Sequence, residues 1–205
     1  MMRVLPDQAG LDAAVAAIRA DQVIAYPTET VYGLGVNPFS ETALDALFAV
    51  KAREADKPVL LIVDMPAQIE RYVARLSVPA LQCMEKFWPG PLSLLLPVAA
   101  TLPDRLTGPD GHICVRCPEN ATARQLCSLW GGPITSTSAN FSGQPPARNA
   151  AAAALPGVSV VVDAGRCDAM PPSTILNPDT GQILRAGPVD AAMLSQAGIA
   201  SDDKH

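Results

Sequence analysis

The chain has 205 residues, which suits one α/β domain and can bury a full core without disulfides or metal. Hydrophobic residues make up 49% and charged residues 17%, which excludes a disordered chain, and no apolar run is long enough to cross a bilayer. A net charge of −5 and only 4% aromatic residues argue against gripping nucleic acid along its backbone or stacking on its bases.

Leu11 to Ala20 predicts an amphipathic helix, with Leu11, Val15 and Ile18 on one stripe. A first strand follows over Val23–Tyr26 and breaks at Pro27. Thr28 and Thr30 come next with Glu29 between them, then Tyr32, Gly33 and Gly35. A core strand ending in hydroxyls and glycine presents hydrogen-bonding atoms at the rim of an α/β sheet, although an ordinary strand-to-loop transition reads the same way. Ser40 predicts an N-cap, Glu41 complements the helix dipole, and Leu44, Leu47 and Phe48 form the buried face of a helix ending near Lys51. Lys51, Arg53 and Lys57 then fall within seven residues. Such a cluster offers bidentate and point-charge contacts to phosphate, and a solvated helix end would carry the same residues.

Pro58–Val63 predicts a central strand buried on both faces. Pro66–Leu76 and Pro79–Phe87 predict two helices, each opened by proline. Trp88–Val98 is a turn and then a strand, His112–Cys117 a strand, Ala121–Trp130 a helix and Pro133–Thr135 a short strand. Thr135 to Gly143, TSTSANFSG, follows that strand end with hydroxyls, an amide and exposed backbone, the makings of an anion-binding nest. Residues 143–154 predict a loop and then a helix, and Val158–Val162 a strand. Ser173–Leu176 and Gln182–Arg185 predict a hairpin around Pro178-Asp179-Thr180-Gly181. The tail after residue 200 is expected to fray. The alternation of helices and strands predicts one α/β domain, with the hairpin making its sheet mixed.

No G-x-x-x-x-G-K-[ST] or G-x-G-x-x-G loop is present. Two histidines, His112 and His205, make a Ser-His-Asp relay improbable, and no carboxylate pair is marked out by context. Cys114 and Cys117 form a C-x-x-C, but no second pair completes a tetrahedron, and strand positions three apart face opposite sides. Five cysteines are therefore expected as structural thiols and no metal site is expected. Arg116 and Arg185 are lone cations on apolar strands; each sits beside Pro or Gly residues at a strand end, from where it could point into a cleft. Lys, Arg and hydroxyls without a histidine base suit charge neutralisation and positioning, as in phosphoryl or nucleotidyl transfer. The N-terminus MMRVLPDQAG lacks the apolar core of a signal peptide, so a cytoplasmic location is the expectation.

AYPTETVYGLG, Lys51-Ala52-Arg53, DKPVLLIV, WPGPLSLLLP, VRCP, STSAN-x-SG, PSTI at Pro172–Ile175 and LRAGP at Leu184–Pro188 resemble, in this order, the YrdC/TsaC family. The resemblance covers about residues 10 to 190. It implies a single α/β domain with a twisted mixed sheet around a basic cavity, in the short form that ends soon after LRAGP. It implies L-threonylcarbamoyladenylate synthase activity: L-threonine, bicarbonate and ATP, with Mg²⁺ bound mainly through the triphosphate, give threonylcarbamoyl-AMP and pyrophosphate. The product passes to a tRNA-modifying threonylcarbamoyl transferase complex; transient tRNA contact is compatible with this role, and no membrane is involved. By motif, Lys51 and Arg53 are the catalytic cations and hold phosphates. Thr28, Thr30, Arg116 and Ser173 bind threonine, and Lys57, Ser138, Asn140, Arg148 and Arg185 join Lys51 and Arg53 around ATP. Some relatives carry histidine where Ile62 stands, which leaves that contact without a counterpart here. Two other readings compete. A related carbamoyl-transfer domain of hydrogenase maturation accompanies an acylphosphatase domain and paired C-x-x-C motifs, which this chain lacks. A non-catalytic RNA-binding or ribosome-assembly factor could use the same cavity.

Overall fold

The structure, a computed structural model, describes residues 1–51, 59–99, 102–107, 110–167 and 170–201. Arg53, Lys57 and the expected frayed end at 202–205 lie outside the described residues. In chain order the elements are β1 (Met2–Val4), α1 (Gln8–Arg19), β2 (Val23–Tyr26), β3 (Gly33–Gly35), α2 (Glu41–Lys51), β4 (Leu60–Ile62), α3 (Val78–Phe87), β5 (Leu92–Pro97) and β6 (His112–Arg116). There follow α4 (Ala121–Trp130), β7 (Ile134–Thr135), β8 (Thr137–Ser138), α5 (Ala150–Ala153), β9 (Val158–Val162), β10 (Thr174–Leu176), β11 (Ile183–Arg185) and α6 (Ala191–Gln196).

The α/β class with mixed pairing is as expected, but the strands divide between two sheets. One runs β1-β9-β2-β3-β8 and the other β11-β10-β5-β6-β4-β7. In the first, β9 pairs in parallel with β1 and β2, while β3 is antiparallel to β2 and β8. In the second, β4–β6 and β5–β10 are parallel, and β5–β6, β4–β7 and the β10–β11 hairpin are antiparallel. The sheets are stitched together where the expected polar loop lies. The chain leaves β7, turns at Ser136 and enters the other sheet as β8. Ser136 N–H donates to Leu60 O at 2.7 Å, Thr135 N–H to Val36 O at 3.2 Å, and Thr135 Oγ1 accepts from Val36 N–H at 2.9 Å. The hydroxyl run is therefore part of both ladders, Thr135 belonging to β7 and Thr137 and Ser138 to β8.

Helix ends follow the side chains available. Asp7, Ser77, Asn120, Asn149 and Asp190 each accept from a backbone N–H in the first turn of the helix they precede, and Ser40 Oγ accepts from Ala43 N–H. The α1 stripe is buried as expected at Leu11, Val15 and Ile18, joined by Ala14 and Ala17. With α4 it covers Ile24, Tyr26, Val160 and Val162 of the first sheet and Ile62 and Ile134 of the second. Each such large apolar side chain contributes about 1.5–3 kcal/mol by leaving water. The larger core cluster takes in α2, α3 and the inner strands of the second sheet.

One expectation is corrected. The helix read over Pro66–Leu76 is a 3-10 helix that stops at Arg71. Val73 forms an antiparallel bridge with Val98, and backbone bonds run from Ala74 N to Pro97 O and from Ala99 N to Tyr72 O, both 2.9 Å. Pairing with the end of β5 outweighs helical periodicity there, a tertiary override of a local preference.

Two glycines of the motifs have steric reasons. A Cβ on Gly35 would sit 2.7 Å from Cε1 of Tyr26, whose ring packs across β3. A Cβ on Gly187 would sit 2.5 Å from Pro172 O, because the chain after β11 runs against the backbone that precedes β10.

Candidate active site between the two sheets

A cavity of about 780 Å³ opens between the sheets. The Thr28–Gly33 segment and the 136–140 segment line one side. Leu60, Leu95, Cys114, Arg116, Ser173, Ile175, Leu184 and Arg185 of the second sheet line the other. Thr28, Thr30, Arg116, Ser138, Asn140, Ser173 and Arg185 thus come to one hollow although the chain separates them by up to 157 positions. Among the described residues the charged groups in its lining are Arg116 and Arg185.

Thr28 and Thr30 are buried but not equivalent. The Thr28 hydroxyl donates to Val31 O at 2.6 Å and accepts from the N–H groups of Thr30 and Val31, both at 3.2 Å. It builds the turn. Its single proton is used on Val31, so in the 3.0 Å contact between the two hydroxyls Thr30 is the donor. The lone pairs of Thr30 are then left to accept from a ligand.

Lys51, at the end of α2, is 4% exposed. Its Nζ donates to Ser138 O at 2.5 Å, Asn140 Oδ1 at 3.0 Å and Asn140 O at 3.3 Å. Asn140 Oδ1 also accepts from Ser138 Oγ at 2.7 Å, and its Nδ2 donates to Gln144 O. Lys51 is not part of the lining, whereas Ser138 and Asn140 are. The S-x-N motif is therefore a cradle for the lysine at the cavity edge.

Arg116, at the end of β6, is 3% exposed and pairs with Glu29 Oε1 at 2.9 Å. On the neighbouring hairpin, Arg185 Nε donates to Ser173 O at 2.9 Å and its Nη2 to Ser173 Oγ at 3.0 Å. Ser173 Oγ in turn meets the fully buried Ser93 Oγ at 2.8 Å. Arg185 is exposed along its length, but its guanidinium end is crowded, and burial together with the nearby Arg116 charge holds its pKa below the usual range. Burial pushes the Cys114 thiol in the cavity wall up to about 12 against the pull of Arg185 and Arg116.

Arg148 does not join the lining; its Nη2 lies 3.5 Å from Met170 O. Ile62 packs in the α1–α4 cluster with Tyr26 and Cys127 and likewise faces away from the cavity. The five cysteines are buried and none is in a disulfide, with Cys117 Sγ donating to Asp64 O and Cys127 Sγ to Ile62 O, both at 3.4 Å. Glu29 and Ser93, both in contact with cavity residues, were not among the site residues read from the sequence. Glu29, a carboxylate inside a buried segment, and Ser93, a lone hydroxyl in an apolar strand, were the available signals.

A family model described as "Telomere recombination", the Sua5/YciO/YrdC model, matches residues 16–187. The threonylcarbamoyl-AMP synthase of Sodalis glossinidius is 40% identical over 177 residues, covering 84% of this chain and 93% of that protein. The threonylcarbamoyl-AMP synthase of Xanthomonas campestris pv. campestris is 39% identical over 186 residues, covering 88% of this chain and all of the relative. Among solved structures, P. abyssi Sua5 complexed with L-threonine superposes with a TM-score of 0.91 at 30% identity, covering 98% of this chain and 61% of that longer one.

Proposed function

The chain belongs to the Sua5/YciO/YrdC family, and on that premise we propose that it is a threonylcarbamoyl-AMP synthase. It joins L-threonine, bicarbonate and ATP into threonylcarbamoyl-AMP with release of pyrophosphate, in the cytoplasm, for threonylcarbamoyladenosine modification of tRNA. The observation that carries the reading is the convergence of Thr30, Arg116, Ser173, Arg185 and the Lys51 cradle on one cavity of about 780 Å³. That volume suits a small amino acid beside a nucleotide.

The threonine amine, deprotonated, attacks the carbon of bicarbonate, and loss of water leaves a carbamate. A carbamate oxygen then attacks the α-phosphorus of ATP, forming the P–O bond as the bond to pyrophosphate breaks. Thr30 accepts from the amine and so holds its lone pair toward the carbon. Arg116 and Ser173 take the amino-acid carboxylate. Lys51, Arg53 and Lys57 supply positive charge for the phosphates, where two anions must approach each other; Ser138, Asn140 and Arg185 complete the nucleotide side. Among the described residues no cluster of three or more His, Cys, Asp or Glu could hold a metal ion. Mg²⁺, bound mainly through the triphosphate, would supply further neutralisation of the phosphate charge when present. The product is passed to a threonylcarbamoyl transferase complex acting on tRNA.

Purified protein incubated with labelled threonine, bicarbonate and Mg-ATP should yield a threonine-containing adenylate and one pyrophosphate per product. ATP and threonine binding without product, or RNA binding without either, would overturn the reading.

A further inference from the structure

Glu29 lies between the two threonines, yet no step above uses it. Its side chain is 11% exposed, and its oxygens face two other elements. Oε1 accepts from Arg116 Nη1 at 2.9 Å, and Oε2 accepts from the Asn120 backbone N–H at the longer distance of 3.4 Å. Asn120 is itself the N-cap of α4, its side chain accepting from Ala123 N–H. One carboxylate thus ties the Thr28–Thr30 turn to the end of β6 and the start of α4.

The consequence falls on Arg116. Its Nε is buried and has no hydrogen-bond partner, although the residue lines the cavity. A guanidinium binds a carboxylate through either of two edges, one of which includes Nε. Glu29 takes Nη1 and leaves Nε as an unsatisfied donor, which is costly unless a ligand completes it. Removing Glu29 would leave a buried cation unpaired and free to change rotamer.

We propose that Glu29 is a positioning residue: through Arg116, and without touching substrate, it sets the affinity for the amino-acid carboxylate. The proposal rests on the synthase reading given above.

The test is threonine-dependent pyrophosphate release by wild type, Glu29→Gln, Glu29→Asp, Arg116→Gln and the double variant Glu29→Gln/Arg116→Gln. Glu29→Gln should raise the threonine KM roughly tenfold or more while the ATP KM stays within about twofold, and Glu29→Asp should recover part of the loss. In the double variant, which leaves neither charge buried alone, the threonine KM should equal that of Arg116→Gln. That comparison holds even if Glu29→Gln does not fold. Equal rises in both KM values, or a double variant worse for threonine than Arg116→Gln, would overturn the proposal. Wild-type protein without threonine-dependent turnover would sink the synthase reading itself, a failure seen before any variant is compared.

Discussion

The two sides of the cavity are built differently. On the second sheet, Arg116, Ser173 and Arg185 stand on or beside paired strands, and strand alternation aims them. On the first sheet, Thr30, Ser138 and Asn140 sit at or beyond strand ends, where a local scaffold does the aiming. The Thr28 hydroxyl closes one turn, and the Asn140 side chain binds Ser138, Gln144 and Lys51. The first construction takes its precision from the ladder, and the second takes it from a few side-chain hydrogen bonds. Single substitutions should therefore be felt more sharply on the side held by a few side-chain hydrogen bonds.

The largest effect is expected at the lysine cradle. Lys51→Met keeps the stem and removes the charge, so kcat/KM for ATP should fall by roughly a hundredfold or more in pyrophosphate-release assays, with circular dichroism unchanged. Activity near wild type would remove Lys51 from the chemistry. Thr28→Val comes next. It leaves the N–H groups of Thr30 and Val31 without their acceptor, at a cost of about 1–3 kcal/mol in urea unfolding, and should raise the threonine KM roughly tenfold. An unchanged KM would show that the turn needs no hydroxyl. Arg185→Lys tests the ladder side. Lysine cannot reproduce the two contacts to Ser173, but the hairpin stays paired, so a loss of only about threefold to tenfold in kcat/KM is expected. A loss as large as that of Lys51→Met would break the contrast between the two sides.

The smallest effect at neutral pH concerns the thiols behind the ladder side. Burial pushes Cys83 and Cys114 up to about 12 and Cys117 to about 11, whereas an unfolded thiol ionises near about 8.5. Raised native values mean that the unfolded chain releases protons the folded chain keeps. Stability is thus fully present below about pH 8.5 and is lost as pH rises toward about 12. Urea midpoints should be level from pH 6 to 8 and fall above 9, while native protein shows little thiolate absorbance at pH 10. Early thiolate absorbance from folded protein would contradict this burial.

Most elements were legible in the sequence because their signals are local. The α1 stripe, the Ala121–Trp130 helix, the Val158–Val162 strand and the hairpin around residues 178–181 each follow from periodicity, capping or turn chemistry within a few residues. The motifs, read as a family resemblance, named Thr28, Thr30, Arg116, Ser138, Asn140, Ser173 and Arg185, which line the cavity, and also Lys51 and Arg148, which stand outside its lining. Only the tertiary structure decided that the strands form two sheets, that the chain crosses between them at Ser136, and that residues 72–74 pair with β5 instead of extending a helix. It also decided that Glu29 meets Arg116 across 87 positions and that Asn140 holds Lys51. These are long-range pairings. Their partners are selected by the burial and hydrogen-bond satisfaction of the whole fold, and no short window of sequence contains both halves of the contact.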